Sequence, residues 1–228
     1  MPFIILVALL VVGLIAGPAL WVRHVLKKYA NPPDRYPMSG GEAARHLLDL
    51  LDLQSVRVEP TETGDHYNPV EKVVRLTDDK FSGHSLTAVT VAAHEVGHAV
   101  QDAEGYTPHR LRNRLVRWTA PLERAGAGLL MLTPILVAIT RAPGVGGLTL
   151  LGGLLALGSG ALVHLVTLPT EIDASFGRAL PLMEKHQLLI PGDERHARKL
   201  LQAAALTYVS ASLMSLLNIG RWWAILRR

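Results

Sequence analysis

The chain has 228 residues, no cysteine, a net charge of +4 and a pI of about 9.6. Without cysteine there is no disulfide framework and no thiolate metal site, so any metal must be held by His, Asp or Glu. The basic balance does not point to nucleic acid: aromatics make up only 5% of the chain, and the basic residues stand beside apolar runs, as juxtamembrane anchors do.

Phe3 to Val22 carries no charge and is long enough for one helical span, read as a retained anchor (1–22) because no basic residue precedes it and no A-x-A site follows. Asn31-Pro32-Pro33 is a stiff linker. Ser39-Gly-Gly-Glu42 is a capping box that opens a helix to about Leu53. Ser55 to Glu59 and Lys72 to Leu76 read as short strands, with a turn-rich loop, Gly64 to Pro69, between them. A helix follows from about Ser85 to Glu104, with Gly105 placed to end it. These elements make up a segment 23–120.

Ala125 to Thr140 and Val145 to Leu168 form a helical hairpin across the bilayer (121–168), turning at Arg141 and Pro143-Gly144. Gly152, Ala156 and Gly160 form a small-residue ladder for close helix packing. A segment 169–200 follows. The last run, Leu200 to Leu226 within 201–228, is expected to span the membrane, lie at its interface through Trp222 and Trp223, or pack over the site. Basic residues follow the first and third runs and precede the second, which places the N-terminus outside and the catalytic segment in the cytoplasm. The fold class is therefore mainly α (α+β), a short sheet with three or four transmembrane helices.

The helix from Ser85 carries His94-Glu95-Val96-Gly97-His98. Histidines four apart lie on one helix face, so both imidazoles can reach one zinc ion at about 2.0–2.1 Å. Glu95 stands beside them, where a carboxylate can take a proton from a metal-activated water. Chance H-E-x-x-H matches in a chain of this composition number about 0.02. The metzincin continuation fails, because Gln101 and Glu104 stand where Gly and His are required. The helix is too short in apolar residues to lie in the bilayer, which argues against an intramembrane protease.

A catalytic zinc has three protein ligands and one open position. Glu171, in Pro169-Thr-Glu-Ile-Asp-Ala-Ser175, is the favoured third ligand: two spans intervene, so it returns to the side of the membrane that holds the histidines. The competing reading is local, with Thr170 and Asp173 as a variant capping box and Glu171 as a first-turn acid. His66, His84, His109, His164, His186 and His196 are weaker ligand candidates.

Asp65-His-Tyr-Asn-Pro69, Val74-Arg-Leu76, Ala92-Ala-His-Glu-Val-Gly-His-Ala-Val-Gln101, Glu171-Ile-Asp-Ala-Ser175 and Ala204-Ala-Leu-Thr-Tyr208 together resemble the YugP-like neutral zinc metallopeptidases of bacteria. The resemblance covers nearly the whole chain, with Asn68 where an Asp is usual. It implies a membrane-bound zinc peptidase with a zincin-like, minimal gluzincin core, ligands His94, His98 and Glu171, and Glu95 as base.

The expected function is hydrolysis of a peptide or protein substrate by a zinc metalloendopeptidase of the H-E-x-x-H type, at the lipid bilayer. Tyr208, His186 and Arg178 are unranked candidates for stabilising the oxyanion. Lys72 to Leu76 is a candidate edge for pairing with an extended substrate. A membrane-protein partner or the C-terminal run is a candidate for holding activity off. The rival is a catalytically silent zinc-containing membrane scaffold or substrate-binding protein; the intact Glu95 argues against it.

Overall fold

A computed structural model of the chain describes residues 2–216. Helix α1 (Pro2–Tyr29) enters the core with its last turns: Val22 and Val25 are buried, and the Leu26 carbonyl accepts a hydrogen bond from Thr87 Oγ1 at 2.9 Å. Helix α2 (Gly40–Leu50) opens on the predicted capping box, with Glu42 N donating to Ser39 Oγ at 3.2 Å and Ser39 N to Glu42 Oε2 at 2.7 Å. Its buried face of Ala43, Ala44, Leu47 and Leu48 follows the helical period.

Strands β1 (Arg57–Thr61), β2 (His66–Asn68) and β3 (Val73–Thr77) form one sheet in the order β1-β3-β2, with β1 parallel and β2 antiparallel to β3. This corrects the expectation for Lys72 to Leu76: β3 is the central strand, paired on both sides, and cannot take a further strand. The segment between Gly64 and Pro69 reads as a turn by composition, yet His66, Tyr67 and Asn68 pair with Arg75, Val74 and Val73.

After the short helix α3 (Asp78–Phe81), α4 (Leu86–Ala103) runs through the centre of the domain. Ser85 caps it through Ala88 N at 3.1 Å, and Gly105 follows its end with φ 67°, a left-handed conformation that glycine takes without strain. Every residue from Leu86 to Gln101 is buried, because α1, α2, β2, β3 and α8 surround the helix.

Helices α5 (Thr107–Thr140) and α6 (Pro143–Ile172) form the predicted hairpin, joined through Arg141 (φ 50°) and Pro143 at the first turn of α6. α5 starts well before the apolar run, so the basic stretch from Arg110 is helical rather than loop. Close approach centres on Gly153, where a Cβ would stand 2.5 Å from Leu130 Cγ, and on Gly146 against Val137. Gly152 makes only an ordinary contact with Leu129; Ala156 is buried, and the surroundings of Gly160 lie outside the described residues. The outer faces are apolar and exposed at Met131, Leu132, Ile135, Ile139, Leu148 and Leu151. Among the described residues one helix, Arg117–Thr140, is long and apolar enough to cross a membrane, against the three or four expected. Among the described residues the apolar stretch of α6, Gly144–Gly153, is shorter than that.

No helix begins at Thr170. Pro169 lies inside α6, and the chain continues without a break into a π-helical segment (Asp173–Ala179) and then α7 (Leu180–Lys185). The capping-box reading of Thr170 and Asp173 therefore fails. Helix α8 (Glu194–Leu216) buries Leu200, Leu201, Ala203, Ala204 and Ala205, so the start of the last apolar run belongs to the core rather than to a span; Trp222, Trp223 and the rest of that run from residue 217 lie outside the described residues.

Asp193 ties the start of α8 to the α1–α2 connection. It accepts two hydrogen bonds from Arg35, at 2.7 and 2.9 Å, and one from Tyr36 Oη at 2.8 Å. Burial opposes its ionisation, but these donors and His196 outweigh that and hold its carboxyl below the usual range. A depressed carboxylate pKa stabilises the fold above its unfolded value, and the contribution is lost as pH falls through the folded value. Denaturant unfolding is therefore expected to show Asp193→Asn less stable than wild type near neutral pH, with the gap closing as pH drops below about 4.

Candidate metal centre

The helical period stacks His94 and His98 on one side of α4, with ring centroids 4.8 Å apart and planes at 80°. The end of α6 brings Glu171 against them. His94 Nε2 lies 3.3 Å and His98 Nε2 3.1 Å from the same atom, Glu171 Oε2. All three residues are buried. Two donors on a tetrahedral zinc ion, each at about 2.0–2.1 Å, stand about 3.3 Å apart, so the two histidine–glutamate spacings match that ion, and all three donor atoms lie within 4.8 Å of one another. Among the described residues this is the one group of three or more His, Asp or Glu able to hold a metal.

Partners behind the rings select the tautomers. Ser175 Oγ donates to the Leu201 carbonyl at 3.0 Å, so it accepts from His94 Nδ1–H at 2.9 Å. Gln101 Oε1, which can only accept, takes the His98 Nδ1–H bond at 3.0 Å. The Gln101 amide nitrogen is in turn oriented by the Thr170 carbonyl and Asp173 Oδ2, both at 2.8 Å. With each Nδ1–H bonded to its outer acceptor, both Nε2 atoms face Glu171 Oε2, where a bound metal would take their lone pairs.

Contact between two backbones makes this convergence geometrically allowed. A Cβ on Gly97 would stand 2.5 Å from the Ala174 carbonyl oxygen, so any side chain there would drive α4 and the π segment apart. The π segment begins two residues after Glu171 and carries Ser175, and such widened turns recur at functional sites.

Glu95 lies beside the pair and is buried, and its carboxylate makes no hydrogen bond to the described residues. Burial pushes its carboxyl up; the two histidine rings oppose this, while Glu171 and Asp65 add to it. Burial also works against ionisation of Glu171, but the His98 and His94 rings outweigh it and hold that carboxyl well below the usual range.

The remaining candidates stand elsewhere. Arg178 donates to Asp173 Oδ2 at 3.2 Å and to Glu104, which places it behind His98 by way of Asp173 and Gln101. His186 caps the C-terminal end of α7, and no contact among the described residues ties it to the cluster. Tyr208 lies on α8 and its side chain is outside the described residues, as are those of His109 and His164. His66, His84 and His196 bond Gly64, Tyr36 and Asp193. A cavity of about 720 Å³ between α2, β1 and the α3–α4 connection, lined by Arg45, His46, Phe81 and His84, includes none of the cluster.

Sequence reasoning missed the supporting roles of Ser175, Gln101 and Asp173. The signal was present in part: Gln101 is three residues after His98, and Ser175 four after Glu171, both same-face helical spacings. Tyr67 Oη, which donates to Asp102 at 2.8 Å and ties β2 to the end of α4, had no such signal.

The chain matches the model of a family described as "Putative neutral zinc metallopeptidase" over residues 3–227. It is 35% identical over 216 residues, 90% of each chain, to the "Putative membrane protease YugP" of Bacillus subtilis. No solved structure gives a significant match.

Replacing Ser175 by Ala is expected to weaken zinc binding by about 10–100-fold, read by chelator competition. Gly97→Ala should lose at least as much affinity and destabilise the fold by about 1–3 kcal/mol, read by thermal unfolding of the metal-free protein.

Proposed function

Since the chain belongs to the neutral zinc metallopeptidase family, we propose that it is a membrane-bound zinc metalloendopeptidase in which His94, His98 and Glu171 hold the metal and Glu95 is the general base. The observation that carries this reading is the meeting of both Nε2 atoms at one Glu171 oxygen, with the Glu95 carboxylate buried alongside and not hydrogen-bonded to the described residues. A zinc ion bound by these three residues would lower the pKa of a coordinated water toward about 7 and polarise a carbonyl.

Glu95 takes the proton of the attacking water and returns it to the leaving amine. The outer bonds from Ser175 and Gln101 keep both imidazoles facing inward through the cycle. Tyr208 and His186 stand as candidates for the oxyanion, while Arg178 is engaged with Asp173 and Glu104.

The free edge of the sheet beside α4 is β2, whose outward backbone groups suit pairing with an extended peptide. That role passes to β2 from β3. The exposed apolar faces of α5 and α6 support a hairpin that crosses the bilayer, and the positive-inside rule supports a cytoplasmic catalytic segment. A silent scaffold is disfavoured because a purely structural zinc site closes with four ligands, and three converge here among the described residues.

Elemental analysis of detergent-purified protein is expected to find one zinc per chain in wild type and in Glu95→Gln, and little in Glu171→Ala. Glu95→Gln should lower kcat by about 10²–10⁴-fold. Full turnover in Glu95→Gln would remove the general-base role, and full zinc in Glu171→Ala would remove the third ligand.

A further inference from the structure

The helix that carries Glu171 is also the helix that returns from the hairpin tip, and its geometry sets the height of the site above the bilayer. Leu130 lies opposite Gly153, and Val137 opposite Gly146, so the two antiparallel helices advance in step. In that register Trp118 is level with about residue 165 of α6, and Arg124 with about residue 159. Trp118 is 80% exposed and Arg124 is exposed, the residue types that mark the edge of a hydrocarbon layer. From Trp118 to Thr140 the helix measures about 33 Å, close to the roughly 30 Å of a bilayer core. Glu171 then lies about 9–18 Å above the hydrocarbon, counted from those two levels at 1.5 Å per residue. Tilting the hairpin only lowers that height.

The other end of the domain leads to the same place. The apolar run of α1 ends at Arg23, and one turn later the Leu26 carbonyl accepts the hydrogen bond from Thr87. His94 is seven residues further along α4, so by this route the histidines stand at most roughly 20 Å from the end of the anchor. Two separate connections thus hold the cluster against the headgroup layer.

We infer that the substrates are membrane-anchored polypeptides, cut within about three to six residues of the point where the chain leaves the bilayer. An extended chain covers about 3.3 Å per residue, so that is the length needed to rise from the hydrocarbon to the site. Segments held further out have no such anchoring advantage. The inference rests on the peptidase and hairpin readings above.

The test uses the full-length, zinc-loaded protein in liposomes. The probe is a single-pass helix followed by a 60-residue disordered casein segment, with the casein segment alone as its soluble counterpart. Cut sites are mapped by mass spectrometry, with Glu95→Gln as the blank. Separately, a bimane dye on Ile172→Cys reports depth through quenching by lipids with nitroxide headgroups; Ile172 is 46% exposed and the chain has no other cysteine to label. Quenching of the dye, cuts clustered within about ten residues of the bilayer, and at least tenfold slower cleavage of the soluble segment are expected. Quenching with cuts spread evenly along the casein, or with equal cleavage of the soluble form, overturns the substrate class and leaves the peptidase and hairpin readings standing. An unquenched dye overturns the membrane-surface geometry. Absence of any cleavage above the Glu95→Gln blank overturns the peptidase reading and this inference with it.

Discussion

Contact between the backbones of α4 and the π segment, at Gly97 and Ala174, is the constraint on which the site depends. His98 and Glu171 are 73 residues apart in the chain, His94 lies a turn further back, and most of the α5–α6 hairpin lies between them. Only if the two elements touch can a glutamate side chain span from one to both imidazoles. The same approach places Ser175 behind His94 and lets Gln101 reach Thr170 and Asp173, so one close contact organises the donor atoms and the groups that orient them.

Burying three ionisable side chains is unfavourable unless each finds a partner of opposite character. In this fold the carboxylate of Glu171 lies between two rings, and the far side of each ring is hydrogen-bonded. A divalent cation at the same point compensates the remaining desolvation, which couples metal binding to the stability of the surrounding helices. The support extends outward to α8: its Leu201 carbonyl fixes Ser175, and Asp193, just before its first residue, is gripped by Arg35 and Tyr36 of the α1–α2 connection. Groups outside the cluster thereby set the direction of the histidines.

The hairpin serves this architecture in two ways. Its outer surface is apolar, with Ile139, Leu148 and Leu155 among its most exposed side chains, and its inner seam is packed through Gly146 and Gly153. It also carries the third candidate ligand at the end of its second helix. The candidate metal site and the second helix of the apolar hairpin are therefore one continuous structure, from Pro143 through the π segment to Lys185, rather than a domain joined by a linker.

Local patterns were legible from residues alone. Ser39 and Glu42 three apart specify a capping box, Ser85 a helix start, Pro143 the turn of the hairpin, and His94 and His98 a shared helix face, because each depends on interactions within about one helical turn. Glu171 was singled out by counting the apolar runs between it and the histidines. β2 was not, since three residues rich in turn formers become a strand only when β3 is present to pair with them. Nor was the continuity of α6 through Pro169, or the widening at Asp173 that follows it, because packing against α4 and α8 overrides the local preference for a break. The sequence by itself determined the chemistry available, a histidine pair with its neighbouring carboxylate and no thiol. Only the tertiary structure decided which strand lies at the centre of the sheet and which hydroxyl and amide hold the imidazoles, because those choices are made by groups far apart in the chain that meet only on folding.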